Sequence, residues 1–165
     1  MSPFGRKFLG GSTTAAISLA LVLVASPLAA QKTSLTLGNG TVTFSAPTAT
    51  DYINGFVDAA TGVSYTLNAT QGNISHTTTV SIRSTSANLG GGKIIGDLQW
   101  RRSDLATWNS ISLSDSQVEQ KIMIRSVLND PWSNTIFFRM ILHWTTDAPA
   151  TYSANYQITL SQTVP

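Results

Sequence analysis

The sequence predicts an all-β fold, an antiparallel β-sandwich of about eight or nine strands. Three observations carry that expectation. Residues 135–145 (TIFFRMILHWT) alternate, with Ile136, Phe138, Met140, Leu142 and Trp144 on one side and Phe137, Arg139, Ile141 and His143 on the other. A wholly apolar side opposite a mixed one marks a strand buried on one face, the centre of a sheet. Turn-forming residues recur roughly every 8–12 positions, the spacing of strands in a sandwich. After residue 30 no stretch sustains the helical period.

Residues 1–30 read as a secretory signal peptide. Arg6 and Lys7 supply the charged start, and 15–25 (AAISLALVLVA) supply the apolar run. Pro27 and Leu28-Ala29-Ala30 then form a small-residue cleavage site before Gln31. The run is shorter than the roughly 20 residues that span a bilayer. The expectation is a protein secreted to the periplasm or cell surface, with no membrane span after leader removal. Residues 31–165 then form a single β-sandwich domain, enough chain for a two-layer core.

That segment carries eight Lys or Arg and eight Asp or Glu residues. A neutral, scattered charge pattern lacks the electrostatic footprint of a nucleic-acid binder. Cysteine is absent, which excludes thiol nucleophiles, thiolate metal sites and disulfide staples.

In chain order, 33–37 alternates with Leu35 and Leu37 on one side. Gly38-Asn39-Gly40 reads as a hairpin turn into a second strand at 41–45, ended by Pro47. A short strand is expected near 53–57, flanked by loops. Val63, Tyr65 and Leu67 share a face in 63–70, and Gln71-Gly72-Asn73 turns the chain. In 76–84, Val80 and Ile82 point inward and Arg83 outward. Gly90-Gly91-Gly92 reads as a flexible loop. It lacks the strand-to-helix setting of a phosphate cradle.

Strands follow at 94–101 with Leu98 and Trp100 on one face, at 107–113, and at 118–128 with Ile122 and Ile124 on one face and Met123 and Arg125 on the other. Arg101-Arg102 reads as a solvated turn. Asn129-Asp130-Pro131 turns into the central strand. The last strand, 154–164, places Ala154, Tyr156, Ile158 and Leu160 inward.

Chemistry-bearing patterns are sparse. There is no Gly-x-Ser-x-Gly elbow, and the two histidines, His76 and His143, lack zinc spacing. Both histidines read as solvent-exposed or edge residues. Asp51 and Asp58 are the one loop pair with an alternative reading as calcium ligands. Glu119 is the only Glu, so paired carboxylates for glycoside hydrolysis rest on turn Asp residues. No catalytic residue, metal ligand or cofactor is assigned, and the expectation is a non-enzyme. Trp100 and Trp144 fall on inward faces and read as core. Trp108 and Trp132 lie near turns beside amide and carboxylate groups. They are the candidate ligand-binding residues for a polysaccharide, with packing as the other reading.

Two stretches, SLTLGNGTVTFSAP (34–47) and YSANYQITLSQTVP (152–165), resemble the opening and closing strands of bacterial pilin-type and spore-coat-U-like secreted domains. The departures are the missing cysteine pair and Ala150-Thr151 in place of a glycine before the closing tyrosine. The resemblance implies an immunoglobulin-like sandwich, export, and assembly by strand donation with another copy or a periplasmic chaperone as partner. It carries over no catalytic residue. The candidate donor strand is 31–37, through Leu35 and Leu37; the alternative is an ordinary first strand. The functional expectation is an exported structural subunit, with a carbohydrate-binding module as the alternative.

Overall fold

The computed structural model describes residues 33–69, 76–123, 132–147 and 152–163. The expected leader (1–30), residues 31 and 32 of the candidate donor segment, the 71–73 and 129–131 turns, Ile124, Arg125 and Ala150-Thr151 lie outside the described residues. The elements are β1 (Thr33–Leu37), α1 (Ala49–Asn54), β2 (Phe56–Asp58), β3 (Val63–Ala69), β4 (His76–Ser84), β5 (Asn88–Gly90), β6 (Lys93–Ile94), a 3-10 turn (Ile95–Asp97), β7 (Leu98–Arg102), β8 (Asn109–Ser110), β9 (Ser116–Met123), β10 (Trp132–Ile141) and β11 (Tyr156–Thr163).

The fold is an all-β antiparallel sandwich. One sheet runs β1-β3-β10-β7-β8, with β2 paired to β10 beyond the end of β3. The second runs β11-β4-β9, and β5 and β6 form a separate hairpin. The strand with the strongest alternation is indeed central: β10 pairs β3 and β2 on one side and β7 on the other. Its inward residues Ile136, Phe138, Met140 and Leu142 are all buried. They join Val63, Tyr65 and Leu67 of β3, Leu98 and Trp100 of β7, and Val80 and Ile82 of β4 in one core. Each such side chain contributes about 1.5–3 kcal/mol by leaving water. The β2–β3 turn packs tightly on β10. A Cβ at Gly62 would come within 2.8 Å of the Ile136 carbonyl oxygen, so only glycine fits there.

Several expectations are corrected. The strand expected at 53–57 is a helix followed by β2. Thr48 caps α1, its hydroxyl accepting from the Asp51 N–H while the Asp51 carboxylate accepts from the Thr48 N–H. Gly55, in the left-handed region at φ 78°, ends it. The helix buries no residue, so it leaves no apolar stripe in the sequence. The signal present was the capping box, Thr-x-x-Asp, and the glycine stop. Thr48→Ala is expected to cost about 1 kcal/mol, read from chemical denaturation. An unchanged midpoint would mean that α1 is held by its contacts alone.

Residues 41–45 do not form a strand. β1 pairs β3 instead, and only Phe44 bridges to Ala59. The glycine triplet is a tight turn between β5 and β6, with φ of 92°, 57° and 81°. The 94–101 strand is interrupted by the 3-10 turn, and only Asn109–Ser110 pairs within 107–113. Arg101 and Arg102 end β7 rather than forming a turn.

Trp144 is not core: it is 71% exposed. The chain leaves the strand after Ile141 and turns, with the Thr146 and Asp147 N–H groups donating to the His143 carbonyl. The Trp144 ring meets Tyr52 of α1 edge-on, centroids 4.9 Å apart. His76 is not exposed but 1% accessible, because it lies on the inward side of β4 with Thr78, Val80, Ile82 and Ser84. There its Nε2 lies 2.6 Å from the Thr33 hydroxyl.

Candidate functional site

A cleft of about 570 Å³ opens between two segments distant in the chain. One wall is the irregular segment 40–47, the other is 152–156 leading into β11, and Leu89, Leu98, Phe138 and Met140 contribute apolar surface between them. The two walls are tied where the Tyr156 hydroxyl donates to the Gly40 carbonyl at 2.7 Å. Burial pushes the Tyr156 pKa up, so this hydroxyl remains a donor. Segment 40–47 is irregular because Pro47 and the Gly38-Asn39-Gly40 turn interrupt pairing on either side.

β11 is the end strand of its sheet, and β1 the end strand of the other. Among the described residues neither has a strand partner on its outer edge. Such an edge presents unpaired N–H and C=O groups to any extended chain. The Gln162 side chain donates to the Thr33 carbonyl at 3.2 Å, a link between these two edge strands. The candidate donor residues sit in β1: Leu35 packs against the core, and Leu37 is 39% exposed.

The other candidate residues lie apart from this cleft. Trp108 is half-buried beside the outer surface of the β10 sheet, with the Arg101 and Arg139 guanidinium groups 5.0 and 4.5 Å from its ring centre. Phe137 and Phe56 extend the stack against the same two arginines. Trp132 is half-buried at the start of β10, with the Lys121 ammonium 3.1 Å from its ring centre. On each ring a cation already takes up aromatic surface on which a sugar would stack.

Two polar clusters went unseen in the sequence. In the first, Tyr65 on β3 donates a short hydrogen bond to Glu119 on β9, joining the two sheets across the core. Arg102 lies 3.6 Å from Glu119 and is held in turn by Asp104 at 2.6 Å. Burial, then the hydrogen bond to Glu119, drives the Tyr65 pKa far above its usual range, so the phenol is a fixed donor. The second cluster holds Lys93, whose side chain is 1% exposed, between Asp147 at 2.8 Å and Asp97 at 3.5 Å. Asp147 also accepts from the His143 N–H at 2.9 Å. Burial raises the Asp147 pKa, but the bonds from Lys93 and His143 outweigh it and hold the carboxyl below its ordinary value. His143 Nε2 lies 3.3 Å from the other oxygen of Asp97.

Of the loop Asp pair, Asp51 is committed to the Thr48 cap and Asp58 is exposed on β2. No protein-family model matches this chain, and no curated protein matches it.

Proposed function

We propose that this protein is an exported, non-catalytic structural subunit that assembles by strand pairing with other copies of itself. One observation carries the reading: the unpaired outer edge of β11 begins at the wall of the apolar-lined cleft. Backbone groups along an open edge supply affinity, and a groove beside it receives alternate side chains. The leader-like residues 1–30 and the Thr-rich strands support export. The donor segment on the neighbour is 31–37, whose Leu35 and Leu37 alternate. In the isolated chain the described part of that segment closes its own sheet as β1. Donation therefore exchanges one pairing for another.

The mature chain is expected to form concentration-dependent multimers by size exclusion and filaments in negative stain. A synthetic 31–37 peptide added in excess is expected to shorten them by occupying the receiving edge. A monodisperse monomer at high concentration would overturn the assembly reading. Multimers indifferent to the peptide would overturn the choice of donor.

A further inference from the structure

The geometry points to a covalent modification at the second polar cluster: an intramolecular amide bond between Lys93 Nζ and the side chain of Asp147. This goes beyond the assembly reading and does not depend on it. Lys93 Nζ lies 2.8 Å from both Asp147 oxygens, so the carboxyl carbon between them is within reach of the nitrogen. Holding the reacting atoms about 3–3.5 Å apart meets one requirement of attack; the other, approach from above the carboxyl plane, would follow from rotation of the carboxyl about its bond to the side chain. Both groups are enclosed, the Lys93 side chain 1% and the Asp147 side chain 5% exposed. The Tyr152 ring, 5.8 Å from the ammonium, lies over the same group.

Enclosure matters because burial penalises charge. Burial raises the Asp147 pKa, but the bonds from Lys93 and the His143 N–H outweigh it, so the pair rests ionised, and one proton transfer within it gives the neutral amine and neutral acid that condense. The remaining parts of the reaction are present. Asp97 places a carboxylate oxygen 3.5 Å from Nζ, a few tenths of an ångström beyond hydrogen-bond reach, and on closing that gap it takes the Nζ proton and passes it on. His143 Nε2 lies beside the other Asp97 oxygen and orients it. The His143 backbone N–H donates to Asp147 Oδ2, where negative charge develops as the carbon becomes tetrahedral.

The step balances without an oxidant or co-reactant. The Nζ lone pair attacks the Asp147 carboxyl carbon and a C–N bond forms. Oδ2 carries the transient charge against the His143 N–H. Asp97 moves a proton from Nζ to Oδ1, the C–Oδ1 bond breaks, and Oδ1 leaves as water. The product ties β6 to the turn after β10, two positions 54 residues apart in the chain. A cross-link of that span restricts the unfolded chain as a disulfide does. It suits a chain without cysteine.

The test is the intact mass of the folded, purified mature protein, taken under denaturing conditions. The expected mass is lower than that of the sequence by one water, with a branched Lys93–Asp147 peptide recovered after proteolysis. Lys93→Arg is expected to restore the full mass. Asp97→Asn retains both partners and is expected to leave them unjoined. Asp147→Asn condenses with loss of ammonia instead, and its mass converges on that of the closed wild type. A full, unmodified mass for the folded wild type overturns the inference. So does a water deficit that survives in Lys93→Arg.

Discussion

Phe138→Ala is expected to lower the stability of the protein by about 3–5 kcal/mol. The ring sits mid-strand on β10, 2% exposed, opposite Trp100 of β7. It also reaches the closing strand of the other sheet, its centroid 5.3 Å from that of Tyr156. Truncation therefore removes apolar contact from both layers at once. The neighbours cannot collapse into the space, because Trp100 and Met140 are held in register by the β7–β10 ladder. The cost is thus the lost transfer energy plus a persistent cavity. Urea unfolding followed by circular dichroism reads it as a lower midpoint at unchanged slope. A loss under about 1 kcal/mol would mean that the two sheets do not share this ring as a common core piece.

What could be read in advance was the part governed by alternation. Val63, Tyr65 and Leu67, then Val80 and Ile82, then Ile136 to Leu142, each take the inward face that their spacing implies. A one-residue slip would turn every one of them to solvent, so the register is strongly specified by the pattern. Alternation does not, however, say where a strand stops. Trp144 continues the inward series in the sequence, yet the turn bonds of His143, Thr146 and Asp147 take the chain out of the sheet first. Helix α1 was missed for the opposite reason. It is held by its Thr48–Asp51 cap and Gly55 rather than by a buried stripe, and periodicity cannot see that.

The candidate site was less legible because its elements come from distant parts of the chain. The cleft joins 40–47 to 152–156, and only the pairing of β4 with β11 and of β1 with β3 places those segments together. Polar residues on inward faces were read by type rather than by position. His76 reads as solvent-exposed from its place after a turn, and Glu119 only as the single Glu, whereas alternation along β4 places His76 on the same side as Val80 and Ile82. The Lys93 cluster had no sequence signal beyond a lysine after three glycines. Its partners stand 4 and 54 residues away, separations that no local motif reports.

The buried bridge between the sheets yields the second large effect. Glu119→Ala is expected to cost about 3–5 kcal/mol, the range for removing one partner of a buried charged pair. Glu119 is 6% exposed and is the point where Tyr65 and Arg102 converge. Without it the Tyr65 hydroxyl is left in the core with its acceptor removed, and Arg102 retains Asp104 and the Val118 carbonyl but loses its buried counter-charge. Tyr65→Phe is milder, about 1–3 kcal/mol, because the carboxylate keeps Arg102 while losing one donor. Glu119→Gln falls between the wild type and Glu119→Ala, since the amide oxygen still accepts from the phenol but the charge opposite Arg102 is gone. Once Tyr65 is Phe, deleting the carboxylate no longer strands a buried hydroxyl. The double variant Tyr65→Phe/Glu119→Ala should therefore lose less than the two single losses added, by about 0.5–3 kcal/mol. Urea midpoints for the four variants measure this coupling directly. Strict additivity, or a Glu119→Ala loss no larger than that of Tyr65→Phe, would mean that the sheets are held by apolar packing alone and that the bridge only fills space.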